Sequence, residues 1–298
     1  MRSRCTVRAG FEVELCQVQC DYLLASGGTD SGKNWRMTEW NAVGYARRSS
    51  LQKAMADEVL DLLALKGTER VLDIGCGDGR ITEGIANRVP QGSVLGIDPS
   101  HEMISFASSH FDPAAGANLR FEVADARDLR FENDFDLVVS FNALHWIPEQ
   151  DKALQSIRCA VKTNGSAQLR LVPKGERKSL ENVLEETRLS LRWSRYYGNF
   201  RDPYLHMTPQ EYAAAAERNG WHVERIHTAA KAWDFKTRDA FFAFGSVTFV
   251  EWTRLLPESE KPAFINDVLD RYRPVACDKP SEENLFRFYQ MDVALRPS

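Results

Sequence analysis

Apolar positions along the chain switch between helical and strand-like spacing, and the switches predict the elements. From Ser49 or Ser50, Leu51, Met55, Val59, Leu60, Leu63 and Leu65 recur at helical spacing, and Gly67 ends the run. A strand is predicted over 70–74, a helix over 79–88 that stops before Pro90, and a strand over 93–98. Met103, Ile104 and Phe106 mark a short helix, and a third strand runs from Leu119 to Val123. Phe135 to Phe141 is a nearly continuous apolar run, as expected of a parallel strand buried on both faces. A helix over 149–162, an Asn164-Gly165 turn and a fifth strand from Ser166 to Val172 follow. Strands alternating with helices in this way predict a right-handed parallel sheet with ligands at the strands' carboxyl ends.

Beyond Val172 the pattern changes. A helix is read over 176–194, then an aromatic and basic stretch from Trp193 to Tyr204. Thr208-Pro209 opens another helix that ends at Gly220, with proline at its first position. A strand over 221–227, helices over 237–249 and 258–271, and a last strand over 284–295 complete the chain. Residues 1–36 hold no sustained period and read as a flexible extension. Gly27 to Lys33 imitates a phosphate loop, but Asn34 stands where Ser or Thr should hold magnesium.

Composition narrows the function classes. The formal net charge of −4 gives no overall electrostatic case for nucleic acid or an anionic membrane. No apolar run approaches the roughly 18 residues of a membrane span, and no signal peptide is legible, so a cytoplasmic, reduced protein is expected. Cys5, Cys16 and Cys20 lack a fourth ligand, so no metal is expected.

The chemistry concentrates at residues 71–80, Val-Leu-Asp-Ile-Gly-Cys-Gly-Asp-Gly-Arg. Strand, glycine turn and helix in that order make a cradle that a ligand can approach closely. The glycines are spaced G-x-G-x-G, and Arg80 occupies the place of the third small residue of a dinucleotide turn. With no Tyr-x-x-x-Lys pair in the chain, this weighs against a nicotinamide-dependent oxidoreductase, the first rival reading. Asp73 would repel a pyrophosphate but suits a cationic amino-acid ligand. Asp98 ends the second strand, where a carboxylate can accept from vicinal ribose hydroxyls; the alternative, a helix N-cap, is already supplied by Ser100. Asp125 ends the third strand and could accept from an adenine amino group or serve as a turn aspartate. Asn142-Ala143-Leu144-His145-Trp146 follows the fourth strand. His145 is the one nearby candidate base, with packing at the strand end as its alternative.

The stretch at 73–79 resembles motif I of the class I S-adenosylmethionine (SAM) methyltransferases, and Gly96-Ile-Asp-Pro-Ser100 and Val123-Ala-Asp125 resemble its companions. From about Thr38 onward the chain is similar to the carboxylate O-methyltransferases typified by trans-aconitate and juvenile hormone acid methyltransferases. Leu144-His145-Trp146, the Tyr45-to-Gln52 spacing and the Trp193–Tyr204 stretch carry that closer likeness. The resemblance implies a Rossmann-like, seven-stranded, mostly parallel α/β sheet over 37–298, with helical cap insertions at about 173–220 and 236–282. It implies SAM as cofactor, held by Asp73, Gly75, Cys76, Gly77, Asp98, Pro99, Met103, Asp125, Ala126 and Asn142. Tyr45, Gln52, Trp146, Trp193, Tyr197 and Tyr204 would line the acceptor pocket, with Gln52, Trp146 and His145 in catalytic roles. The implied acceptor is a small organic or isoprenoid-like acid, and the implied assembly a monomer or homodimer. Methyltransferases acting on nitrogen, phenol oxygen or carbon stand as alternatives.

Overall fold

The structure, a computed structural model, describes residues 58–111 and 118–298. The expectations for the extension, the early cysteines, Tyr45, Gln52 and the first part of the opening helix lie outside the described residues. Helical residues 58–62 bury Val59, and the chain leaves the helix before Leu63 and Leu65.

Seven strands form one sheet in the order β3-β2-β1-β4-β5-β7-β6. The strands are β1 (Arg70–Ile74), β2 (Ser93–Asp98), β3 (Leu119–Val123), β4 (Phe135–Phe141), β5 (Val161–Leu171), β6 (Trp221–Asp234) and β7 (Leu285–Pro297). β1 to β5 pair in parallel, and β7 enters antiparallel between β5 and β6. The helices are α1 (Arg80–Arg88), α2 (His101–His110), α3 (Gln150–Ala160), α4 (Leu180–Arg188), α5 (Pro209–Arg218), α6 (Arg238–Thr248), α7 (Val250–Thr253) and α8 (Lys261–Ala276). Among the described residues no helix is long and apolar enough to cross a membrane.

Alternate residues of the central strands go to opposite faces, as the two-residue period requires. Leu72, Val138 and Leu169 pack on one side with Leu154 and Ile157 of α3 and Tyr212 of α5. Val71, Leu137 and Val139 pack on the other with Ile85 of α1. A second core, built from Leu180, Val183 and Leu184 of α4, Phe241 of α6 and Phe264, Val268 and Tyr272 of α8, joins the helices that follow β5 and β6.

Four element boundaries differ from the sequence pattern. β5 begins at Val161, and Asn164-Gly165 lies within it at a register shift against β4. A Cβ at Gly165 would stand 2.9 Å from the Asp136 carbonyl oxygen, so only glycine lets the strands close there. α4 stops at Arg188 because Trp193 turns inward, and the chain tightens into turns up to residue 197. β6 runs on to Asp234, paired with β7 along its length. α8 continues to Ala276 through Pro274, which sits in its last turn.

Candidate cofactor and acceptor site

The glycine turn is pinned to the end of β2 by backbone bonds. Gly75 N–H and Cys76 N–H both donate to the Ile97 carbonyl, at 2.8 and 3.0 Å. Gly75, Gly77 and Gly79 all adopt positive φ. Each glycine has its own reason. A Cβ on Gly75 would overlap Ala143 of the loop after β4, and one on Gly79 would stand 2.8 Å from Ala107 and Phe121. At Gly77 nothing lies within 4 Å, so the turn opens onto space that a ligand can use.

The acidic residues beneath the turn are firmly held. The Asp73 carboxylate is buried and accepts from the Thr82 hydroxyl at 2.7 Å. Burial pushes its pKa up to about 7; the Asp98 charge adds to this and the Thr82 bond opposes it. Asp98 accepts from Gly77 N–H at 3.0 Å through one oxygen and from Ser100 N–H at 2.9 Å through the other. Its carboxylate therefore sets the turn's shape as well as standing where a ribose is expected. Ser100 caps α2 by accepting from Met103 N–H, which places Pro99 and the buried Met103 beside this corner. The Cys76 thiol is buried, and burial raises its pKa far up, so it is a packing group.

Of the two expectations for Asp125, an adenine-facing carboxylate or a turn aspartate, the structure shows the turn: Arg127 N–H donates to it at 2.9 Å. Arg127 donates to both of its oxygens and reaches Glu149 as well, at 2.9 Å. Burial raises the Asp125 pKa, and the Arg127 bonds more than offset it, leaving the carboxylate below its usual range. Ala126, next in the chain, is buried in the core. Asp125-x-Arg127 was the available signal for this pair. Asn142 stands at φ +59 with its side-chain oxygen buried and unpartnered, next to the turn. An orphaned acceptor, a buried carboxyl that charges readily near neutral pH and an open glycine together fit a ligand carrying an ammonium and hydroxyls.

The loop after β4 carries the acceptor-side residues. His145 is buried, accepts at Nδ1 from Val172 N–H at 3.4 Å and takes Leu205 N–H on its carbonyl at 2.8 Å. Burial drops its pKa to about 3, so the ring is neutral and a weak base. This corrects the expectation of a catalytic His145; it packs the loop instead. Trp146 meets Tyr204 edge-on at 5.1 Å and Trp252 at 6.0 Å. Trp252 in turn donates its indole N–H to Glu185 at 2.6 Å. Tyr204 therefore lies against the loop.

Trp193 and Tyr197 do not. Trp193 is fully buried in the second core and donates to Asp267 at 2.7 Å, so its expected place in the acceptor pocket is corrected to an anchor. Tyr197 is buried beside Phe264 under the Arg188 guanidinium, and burial raises its hydroxyl pKa far up. The family resemblance marked the aromatic stretch but could not separate pocket walls from core.

One consequence is measurable without any ligand. Between about pH 4 and 7 the folded protein keeps a proton on Asp73 that the unfolded chain releases. Asp73 therefore supports stability below the unfolded carboxylate pKa, and that support fades as pH rises through about 7. The melting temperature of the ligand-free protein should fall more steeply between pH 5 and 8 than that of Asp73→Asn. Parallel pH profiles for the two proteins would remove Asp73 as the titrating group.

Comparison with known proteins points to a methyltransferase domain. A family model described as a methyltransferase domain matches residues 71–165, from β1 into β5. A trans-aconitate 2-methyltransferase of Variovorax paradoxus is 27% identical over 66% of this chain and 76% of its own length. A malonyl-[acyl-carrier protein] O-methyltransferase of Magnetococcus marinus is 35% identical over 45% of this chain, which spans about half of that relative, 49%. Among solved structures, phosphoethanolamine N-methyltransferase 2 of Haemonchus contortus in complex with S-adenosyl-L-methionine superposes with a TM-score of 0.53 at 19% identity, covering 83% of this chain and 53% of that one. That likeness shows the fold alone.

Proposed function

We propose that this chain, which belongs to the class I SAM-dependent methyltransferases, methylates the carboxylate of a small acid to give a methyl ester. The observation that carries the proposal is the chemistry of the loop after β4. Its one titratable side chain beside Trp146, His145, is buried and neutral with a pKa of about 3. An alcohol or carbon acid needs a base to lose its proton, whereas a carboxylate with a pKa of about 4 is already ionised. Two relatives, one named for methylation of trans-aconitate and one for O-methylation of malonyl-[acyl-carrier protein], support the same reading.

SAM, when bound, supplies a methyl group already activated on a sulfonium. The chain's own work is then to hold, orient and dry. Asp73, Gly75, Gly77, Asp98 and Asn142 would hold the cofactor, and Ser100 and Thr82 keep two of those carboxylates in place. Trp146 and Tyr204 would form the aromatic wall against which the acceptor lies, with the helices after β5 and β6 as its cap. Such alignment can supply roughly 7–11 kcal/mol of barrier lowering without any proton transfer. We place the protein in a reducing cytoplasm, as a monomer or homodimer, with Cys159 and Cys277 as free thiols.

A second reading rests on one observation. The Asp202 carboxylate accepts from Tyr204 N–H at 2.9 Å and meets His206 at 3.0 Å. An acidic flank of this kind suits an amine acceptor. The two readings separate on the product. With methyl-labelled SAM and a panel of organic acids and amines, the best acceptor should give a product that releases methanol under mild alkali. A base-stable product would exclude the ester and leave N-methylation.

A further inference from the structure

The segment between α4 and Tyr204 has a surface unlike the rest of the protein. Residues 187–201, Thr-Arg-Leu-Ser-Leu-Arg-Trp-Ser-Arg-Tyr-Tyr-Gly-Asn-Phe-Arg, hold Arg188, Arg192, Arg195 and Arg201 and no acidic residue, in a chain of net charge −4. Leu191 is 100% exposed and Leu189 62% exposed. These leucines stand among exposed Arg192, Arg195 and Arg201. Arg188 alone of the four is taken up by an ion pair, with Glu185. Arg192 lies over the Trp193 ring at 4.4 Å, within the field of Asp267, and Arg195 lies over Tyr196 at 4.8 Å. Among the described residues Arg195 and Arg201 make no ion pair.

The patch is rigidly mounted. Trp193, directly after the exposed leucine and arginine, is fully buried and tied to Asp267. A fully exposed leucine on such an anchored turn leaves its apolar surface in water, where a partner can cover it.

We propose that residues 189–201 dock on an anionic lipid surface, with Leu189 and Leu191 entering the headgroup boundary and Arg192, Arg195 and Arg201 meeting lipid phosphates. The pairing of leucines with arginines free of ion pairs matches an anionic bilayer in both apolar and charge character. A second copy of the chain matches less well, because a two-fold contact through this patch sets its arginines against their own equivalents. The overall negative charge, which argued against a membrane, is overruled locally because charges more than about 10 Å away are screened at physiological salt. The docked turn also carries Tyr197 and Phe200, and Phe200 packs on Trp252, which touches Trp146. The surface thus belongs to the element beside the acceptor loop.

The experiment is co-sedimentation of the full chain with phosphatidylcholine vesicles with or without phosphatidylserine. Binding to the anionic vesicles is expected, at least about tenfold tighter than to the neutral ones and weakened by high salt. Leu189→Ser/Leu191→Ser and Arg195→Ser/Arg201→Ser should each reduce it by about tenfold or more, with unchanged circular dichroism melting, since all four sites are exposed. No binding to anionic vesicles, or equal binding by the double variants, overturns the proposal. So does a dimer in sedimentation velocity that the leucine variant abolishes, which assigns the patch to self-association.

Discussion

Gly75→Ala is expected to destabilise the protein by about 3 kcal/mol or more, while Gly77→Ala, two residues on, costs only about 1. At Gly75 two penalties add. The residue sits at φ +72, which costs an L side chain roughly 1–2 kcal/mol. Its new methyl would also overlap the Ala143 Cβ, forcing the loop after β4 away from the turn, an overpacking worth roughly 1–3 kcal/mol. Ala143→Gly should relieve the second term and leave the first, so the double variant recovers part of the loss. At Gly77 the φ of +54 is strained but the space is open. There the loss should appear in calorimetric affinity for SAM, at least about tenfold, because the methyl occupies the cradle. Unaltered denaturant midpoints for Gly75→Ala would show that the loop does not need the close approach. Unaltered SAM affinity in Gly77→Ala would move the cofactor away from the turn's open face.

That contrast bears on how much of the molecule its sequence disclosed. The glycine turn, the strands around it and the acidic ends of β1 to β3 were legible because each depends on local signals. These are an apolar run, a glycine at positive φ and a helix cap. The seven-stranded, mostly parallel sheet followed from the family resemblance, whereas the strand order and the antiparallel entry of β7 are given by the structure. What local signals missed is the pairing of charges across the fold. Asp125 was legible as an acidic strand end, but nothing in its immediate period says that Arg127 and Glu149 close over it. Thr82 lies a turn into α1, and only the packed fold shows that its hydroxyl is spent on Asp73. The aromatic residues failed in another way. Trp193, Tyr197 and Tyr204 are one composition cluster, yet only Tyr204 reaches the acceptor loop, because Trp193 and Tyr197 fill the second core.

The clearest case of a hidden residue is Arg170, and it carries the other large expected effect. It is fully buried near the carboxyl end of β5, where the strand pattern shows only one more in-out alternation. Its guanidinium donates to both oxygens of Asp292 across the β5–β7 pair, at 2.6 and 3.1 Å, and to Glu58 at 3.4 Å. Lys231 from β6 also reaches Glu58, at 3.0 Å, so two cations and two carboxylates balance. With its amide swapped so that the oxygen faces inward, Gln290 would accept from Arg170 at 2.8 Å. The Arg170 carbonyl receives Asn142 N–H at 2.9 Å, which ties this network to the loop after β4. Removing the cation strands the Asp292 carboxylate, while Glu58 keeps Lys231 as its partner. Breaking a buried pair from one side typically costs about 3–5 kcal/mol, whereas replacing both partners by apolar groups is often close to neutral. Arg170→Met should therefore lower unfolding stability by about 3 kcal/mol or more, and Arg170→Met with Asp292→Leu should regain most of it. The two arms answer different questions. A single-variant cost under about 1 kcal/mol would mean that solvent reaches Asp292 well enough to replace the arginine. A double variant no better than the single would mean that the guanidinium acts by filling space rather than by pairing charge.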